Sequence, residues 1–168
     1  DLNPLARMMS RVKTTHYDQP QIVEWFENIC SHFKNYDPNI VRKKDFSNIS
    51  NYTFWYTEDA LLRLSYIQQL IDDHANGCEF FLLCLAETVR EVSFTRNGEF
   101  KRFKMSEKSL EKFKPDVFDL FKRKVTRNIN GLHQFNATAP AQAKSTICDF
   151  NSTYGIPDTI LPEGSVDM

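Results

Sequence analysis

The spacing of apolar residues predicts amphipathic helices through the middle of the chain. From Ile22 to Phe33, apolar side chains recur at intervals of three and four residues, and the same intervals recur from Leu61 to Ile71. Such spacing places apolar residues on one face of a helix. We therefore expect both segments to be helices that bury one face.

Residues that begin and end helices flank these two segments. Asp18 lies before Pro20, and Thr57 lies before two acidic residues, which favour the positive end of a helix dipole. Asn76-Gly77 is a pair typical of helix ends. We expect one helix to begin at Pro20 and the next to run from Thr57 to the Asn-Gly pair.

Two further helices are predicted downstream. The segment from Cys78 to about Val92 is apolar on nearly all sides, which is typical of a helix at the centre of a bundle. A last helix is predicted from about Asp116 to Asn130, because Gly131 follows it. Residues 134–144 are then expected to form a linker.

Charge is distributed unevenly along the sequence. The 168-residue chain has a net charge of −1, which gives no overall signal for nucleic-acid binding. From Arg90 to Arg127, however, 12 Lys or Arg residues stand against 6 Asp or Glu, an excess of six positive charges. Within this stretch, Asn97-Gly98 is a strong turn signal between aromatic residues. We expect a short hairpin or an ordered loop there.

The sequence lacks the usual signs of several other protein classes. No apolar run reaches the roughly 18 residues of a membrane-spanning helix, and no signal peptide is visible. The four cysteines have no C-x-x-C spacing and the four histidines are isolated, so a metal site is not expected. No P-loop or G-x-G-x-x-G motif is present. We expect a cytoplasmic protein with buried, reduced thiols.

Both ends of the chain resemble one enzyme family. Asp1-Leu2-Asn3-Pro4-Leu5-Ala6 resembles the "D-[IL]-N-P-L-A" segment of S-adenosylmethionine-dependent DNA methyltransferases, the group that methylates amino groups of cytosine or adenine. Cys148-Asp149-Phe150 resembles the acidic motif on the third strand of that family, and the "LPEGSVD" of residues 161–167 resembles the segment after it. The helical middle is similar to an insertion that some members carry.

The resemblance implies a mainly α fold. A helical insertion of four to six helices, residues 16–140, would be flanked by remnants of a Rossmann-like α/β methyltransferase sheet in residues 1–15 and 141–168. These remnants would include short strands at Ser145–Cys148 and from Val166. The insertion would be the target-recognition region.

The resemblance also implies that parts of the enzyme are missing. The glycine-rich loop of the family would lie before Asp1, and its catalytic "[DNS]-P-P-[YFW]" loop would follow Asp167. We therefore expect an internal fragment, or a split subunit, that contains no catalytic residue and is inactive alone. Its partners would be duplex DNA and the remaining parts of the methyltransferase.

Four residues are candidate cofactor contacts by resemblance. Asp1 would accept hydrogen bonds from the ribose hydroxyls of S-adenosylmethionine, and Asn3 would lie beside it. Asp149 would accept a hydrogen bond from the adenine amino group, with Phe150 packed on the ring. A helix cap at Asp1 and a turn at Asp149 are the alternative interpretations.

The candidate DNA contacts lie in the basic stretch. Lys and Arg neutralise phosphates, and Arg can bind a base edge through two hydrogen bonds. The candidates are Arg90, Ser93, Arg96, Asn97, Lys101, Arg102 and Lys104. A solvated charged surface is the alternative interpretation. Trp55 and Tyr56 could stack on a base, although packing in the core is favoured for both.

The resulting hypothesis is a piece of a DNA methyltransferase. The intact enzyme would transfer a methyl group from S-adenosylmethionine to an exocyclic amino group of cytosine or adenine, and this piece would supply DNA recognition and part of the cofactor pocket. Two alternatives stay open: a non-catalytic helical module that binds DNA or protein, and a fragment of an RNA methyltransferase. Comparing the affinities for duplex DNA and structured RNA separates them.

Overall fold

Seven α-helices form the part of the chain that the computed structural model describes, which comprises residues 2–42, 45–46, 49–96, 101, 103–138, 145–160 and 162. They are α1 (Pro4–Thr14), α2 (Gln19–His32), α3 (Tyr52–Trp55), α4 (Glu58–Ala75), α5 (Glu79–Val92), α6 (Glu107–Lys112) and α7 (Val117–Thr138). Single 3-10 turns lie at Phe33–Asn35 and Ser152–Tyr154. The prediction of a mainly α fold is confirmed, and the region 16–140 contains six of these α-helices.

The predicted helix starts are confirmed at Thr57 and, to within one residue, at Pro20, although the Asp18 side chain makes no capping hydrogen bond. The Asn3 Oδ1 accepts hydrogen bonds from the N–H groups of Leu5 and Ala6 at 2.9 and 3.3 Å, so α1 begins after it. The Thr57 Oγ1 accepts a hydrogen bond from the Ala60 N–H at 3.1 Å and caps α4. At the other end of α4, Asn76 adopts a left-handed φ of 49°, which stops the helix.

Helix α5 lies at the centre of the bundle, as its apolar sequence predicts. It packs against α1, α4 and α7, while α2 packs against α4 and α7. The largest fully buried side chains come from four helices: Ile22 and Ile29 of α2, Ile67 and Ile71 of α4, Phe81 and Cys84 of α5, and Phe121 and Val125 of α7. The helices α2, α4, α5 and α7 therefore share one continuous apolar core.

The predicted end of the last helix is wrong. Helix α7 continues through Gly131 to Thr138, and so includes the first part of the expected linker. Leu132 is buried, and the ring of Phe135 packs on His16 at a centroid distance of 4.8 Å. Apolar contacts thus continue beyond Gly131, and they outweigh the weak helix propensity of one glycine.

The sheet remnants are absent from the described residues. The strand predicted at Ser145–Cys148 is not formed, because these residues have no regular secondary structure. A strand needs backbone pairing with a neighbouring strand, and the β-bridge found among the described residues joins Thr95 to Lys104, far from this segment in the sequence. The strand predicted from Val166 lies outside that part of the chain. None of the described helices is long and apolar enough to cross a membrane.

Candidate nucleic-acid and cofactor surfaces

Residues 94–96 and 103–105 pair as two antiparallel arms, here called the basic hairpin. Thr95 and Lys104 form an antiparallel bridge. The Arg96 N–H donates to the Phe103 carbonyl and the Met105 N–H donates to the Phe94 carbonyl, both at 2.8 Å. The hairpin or ordered loop expected around Asn97-Gly98 is therefore confirmed in its two arms. Its turn, including the candidates Asn97 and Arg102, lies outside the described residues.

The short helix α3 is fastened to the basic hairpin. The Phe94 N–H donates a 2.8 Å hydrogen bond to the carbonyl of Trp55, the last residue of α3. The Lys104 Nζ lies 3.9 Å from the centroid of the Phe54 ring and 5.5 Å from that of Phe94, distances at which a cation is attracted to an aromatic face. Helix α3 thus packs against the hairpin through the Phe54 ring and a backbone hydrogen bond to Trp55.

The cationic candidates occupy different places around this hairpin. Arg96 is exposed on the first arm, and Lys101 is exposed two residues before the second arm. Arg90 is exposed in the last turn of α5. Lys104 is half-buried, with its amino group over the two rings. The positive charges therefore line one continuous stretch of chain from the end of α5 to the second arm.

Ser93 differs from the other candidates because it is only 2% exposed. Its Oγ donates to the Arg90 carbonyl at 2.7 Å and lies 2.9 Å from the Thr95 Oγ1. These contacts close the bend between α5 and the first arm. The side chain of Ser93 therefore shapes the backbone and does not face outward.

The two segments that resemble cofactor motifs meet through an ion pair. The Arg7 Nη1 of α1 lies 2.8 Å from the Asp149 Oδ2, although 142 positions separate them in the sequence. The Asp149 side chain is 77% exposed. Asn3 caps the start of the same helix, and Phe150 is half-buried beside Asp149 in the sequence. Asp1 lies outside the described residues.

A groove of about 570 Å³ lies between α1, α5 and α7. Its floor is apolar and includes Met9, Phe80 and Leu132, while Arg90 and Arg127 stand among its charged residues. The Arg127 guanidinium donates to Glu87 of α5. The volume of the groove is in the range of small-molecule pockets. The groove is not lined by Asp149 or Phe150, the candidate cofactor contacts in the tail.

Ion pairs hold the walls of this groove together. Arg11 of α1 donates two hydrogen bonds to Glu79 of α5, at 2.9 and 2.6 Å. This contact lowers the pKa of Glu79 below its usual value, because the hydrogen bonds favour the ionised carboxylate. Lys124 of α7 bonds Glu91 and lies 3.8 Å from Glu87. The charged side chains at these helix contacts are thus paired with charges of opposite sign on the neighbouring helix.

The cysteines and histidines form no evident reactive centre in the described part of the chain. All four cysteines are free thiols. Burial raises the pKa of Cys84 to about 12 and that of Cys30 to about 11, so both stay protonated near neutral pH. His32 and His74 stack at 4.5 Å. No group of three His, Cys, Asp or Glu among those residues could hold a metal ion.

The chain is similar to a known methyltransferase. It is 34% identical, over 146 residues, to the Type II methyltransferase M.MvaI of Kocuria varians. The predicted resemblance to methyltransferases is therefore confirmed. The aligned region covers 80% of this chain and 31% of the relative, so the chain spans about a third of that protein. No family model and no solved structure matches the chain.

Three residues at these surfaces were missed by sequence reasoning. Arg7 directly follows the D-L-N-P-L-A segment, but nothing in its neighbours indicates a partner near position 149. Phe54 and Phe103 were not named as candidates, although both are 48% exposed. The resemblance to methyltransferases points to candidates at both chain ends and in the basic stretch. Which side chains are exposed depends on packing, which the sequence does not show.

Proposed function

We propose that the intact protein transfers a methyl group from S-adenosylmethionine to an exocyclic amino group of cytosine or adenine in DNA. In this proposal the present segment supplies DNA recognition and part of the cofactor pocket. The observation that carries it is the 34% identity, across four fifths of the chain, to a Type II methyltransferase. The remaining parts of the enzyme would supply the catalytic loop.

The contact between the two chain ends supports the cofactor side of the proposal. Because Arg7 pairs with Asp149, the motif segments that resemblance assigns to the cofactor lie together. The exposed Asp149 carboxylate would accept a hydrogen bond from the adenine amino group, and Phe150 would pack on the ring. The Asn3 side-chain Oδ1 caps α1, and Asn3 would lie beside the cofactor. Asp1 would bind the ribose hydroxyls.

The basic hairpin supports the DNA side of the proposal. Its arms are fixed by backbone hydrogen bonds, while Arg96 and Lys101 are exposed. Guanidinium and ammonium groups held in this way would neutralise phosphates or bind a base edge. Arg90, Asn97, Arg102 and Lys104 would extend the same surface. Ser93 would contribute by fixing the bend that presents it.

A salt series with matched variants tests the DNA side. Purified chain is titrated onto labelled duplex DNA and structured RNA at several salt concentrations. We expect Arg90→Gln, Arg96→Gln and Lys101→Gln each to weaken DNA binding and to lower the slope of log K against log salt by about one per lost phosphate contact. Lys34→Gln is the control, because Lys34 is exposed on the 3-10 turn after α2.

The outcomes separate the candidate functions. Tighter binding to structured RNA than to duplex DNA would favour an RNA methyltransferase fragment. DNA affinity that is the same in all three variants as in Lys34→Gln would contradict the assignment of the DNA surface. Helical circular dichroism of each variant shows that the protein compared is folded.

A further inference from the structure

Two phenylalanines beside the basic hairpin are unusually open to solvent. Phe54 in α3 and Phe103 on the second arm are each 48% exposed. Exposed apolar side chains are ordinary when scattered singly, but exposed rings beside a cationic surface indicate a binding face. Phe103 is on the arm that also carries Lys104, and the amino group of Lys104 lies over the ring of Phe54.

Phe54 is held in place by its neighbours. Lys104 lies over the face of its ring at 3.9 Å, and the Trp55 ring meets it edge-on at 4.9 Å. The backbone of Trp55 is in turn bonded to the first arm of the hairpin. A ring that is already ordered loses little conformational freedom on binding. It is therefore suited to contact a flat partner.

Phe103 lies on the arm opposite Arg96. The Phe103 carbonyl accepts the Arg96 N–H, so the ring and the guanidinium belong to neighbouring positions of the paired arms. The Phe54 ring therefore lies under the Lys104 amino group, and Phe103 lies opposite Arg96 on the facing arm. Nucleic acid is the partner that offers negative phosphates and flat apolar bases together.

We propose that Phe54 and Phe103 are the base-contacting residues of this surface and stack on bases of a locally opened DNA duplex. Arg96, Lys101 and Lys104 hold the adjacent phosphates. The inference rests on the proposed function, because an enzyme that methylates an amino group in a duplex must unstack its target base. It adds two stacking residues to the phosphate and base-edge contacts of the proposed function.

Stacking and phosphate contacts respond differently to salt. Losing a stacking ring weakens binding at every salt concentration and leaves the salt slope unchanged, whereas losing a cation lowers the slope. The probes are a fully paired DNA duplex and the same duplex with one central mismatch, which opens more easily. We expect the unaltered protein to prefer the mismatched duplex.

The variants are chosen to isolate the rings. Phe54→Ala and Phe103→Ala are each expected to weaken binding to the mismatched duplex by about tenfold, with an unchanged salt slope. Phe54→Trp is expected to retain binding, because it keeps an aromatic face. Tyr154→Ala is the control, since Tyr154 is 90% exposed outside this surface. If Phe54→Ala loses its helical circular dichroism, Phe103→Ala and Phe54→Trp decide.

Three outcomes would count against the proposal in different ways. Wild-type affinity in the folded Phe variants, with Arg96→Gln and Lys101→Gln still impaired, would overturn the stacking proposal and leave the proposed function standing. Failure of the unaltered chain to bind either duplex would count against the proposed DNA role as well. An equal loss in Tyr154→Ala would show that the effect is not specific to this surface, and would also overturn the proposal.

Discussion

Burial raises the pKa values of several titratable side chains. The pKa of Cys84 rises to about 12, that of Cys30 to about 11 and that of Tyr17 to about 12. Removal from water disfavours the ionised form of each group, and this effect exceeds that of the hydrogen bond that the Cys84 Sγ accepts from Asn128 at 3.2 Å. In the unfolded chain these groups ionise at their usual, lower pH.

This difference predicts a loss of stability at high pH. Above pH 9 the unfolded chain releases the Cys84 proton while the folded chain keeps it, so the free energy of unfolding falls until about pH 12. Replacing Cys84 by Ala should reduce the loss between pH 7.5 and 10.5 by about 2 kcal/mol. Guanidinium unfolding at both pH values measures it. Cys148→Ala, in the tail, serves as the control and should keep the full loss.

At single positions, the sequence identifies side-chain chemistry better than it identifies surroundings. Arg96 and Lys101 were selected for their charge and are exposed. Ser93 was selected with them and is buried, because its hydroxyl is used in the bend after α5. Phe54 was not selected, because neither a charge nor a family motif marks it in the sequence. Only the packing of α3 against the hairpin reveals its exposure.

At the scale of elements, helix starts are predicted well because caps act locally. Thr57 and Asp116, where helices were predicted to begin, each satisfy backbone N–H groups within three residues, so their effect is visible in the sequence. The end of α7 depends instead on contacts of Leu132 and Phe135 with other parts of the chain. For the same reason the four-residue helix α3, which is bonded to the hairpin, was missed.

The cap of α4 gives a prediction for one hydrogen bond. Thr57→Ala removes the acceptor for the Ala60 N–H at the start of a helix whose inner face is in the core. We expect the free energy of unfolding to fall by about 1 kcal/mol. Thr57→Ser keeps a capping hydroxyl and should lose much less. Equal denaturation midpoints for Thr57→Ala and Thr57→Ser would contradict a capping role.

At the scale of the whole molecule, a mainly α fold is predictable but the meeting of the chain ends is not. The sequence predicts the helices α2, α4 and α7, and the nearly all-apolar α5 is the expected centre of the bundle. The ion pair between Arg7 and Asp149 joins α1 to the tail without either residue carrying a signal of the other. The strand expected at Ser145–Cys148 does not form, since a strand needs backbone pairing with a neighbouring strand.

The Arg7–Asp149 ion pair should hold the tail against α1 while adding little to overall stability. Asp149 is mostly exposed, and ion pairs in water contribute between about 0 and 1 kcal/mol. In Asp149→Asn we therefore expect faster amide hydrogen exchange in residues 145–150 and an almost unchanged denaturation midpoint. Asp158→Asn is the control, because Asp158 is exposed farther along the tail.

Exchanging the two charges tests the pairing itself. The double variant Arg7→Asp with Asp149→Arg restores opposite charges at the same two positions, so it should recover slow exchange in residues 145–150 relative to Arg7→Asp alone. Exchange that is equally slow in Asp149→Asn and in the unaltered protein would mean that other contacts hold the tail. In that case the cofactor segments would be brought together by packing, and Arg7 would have no part in presenting Asp149 to a ligand.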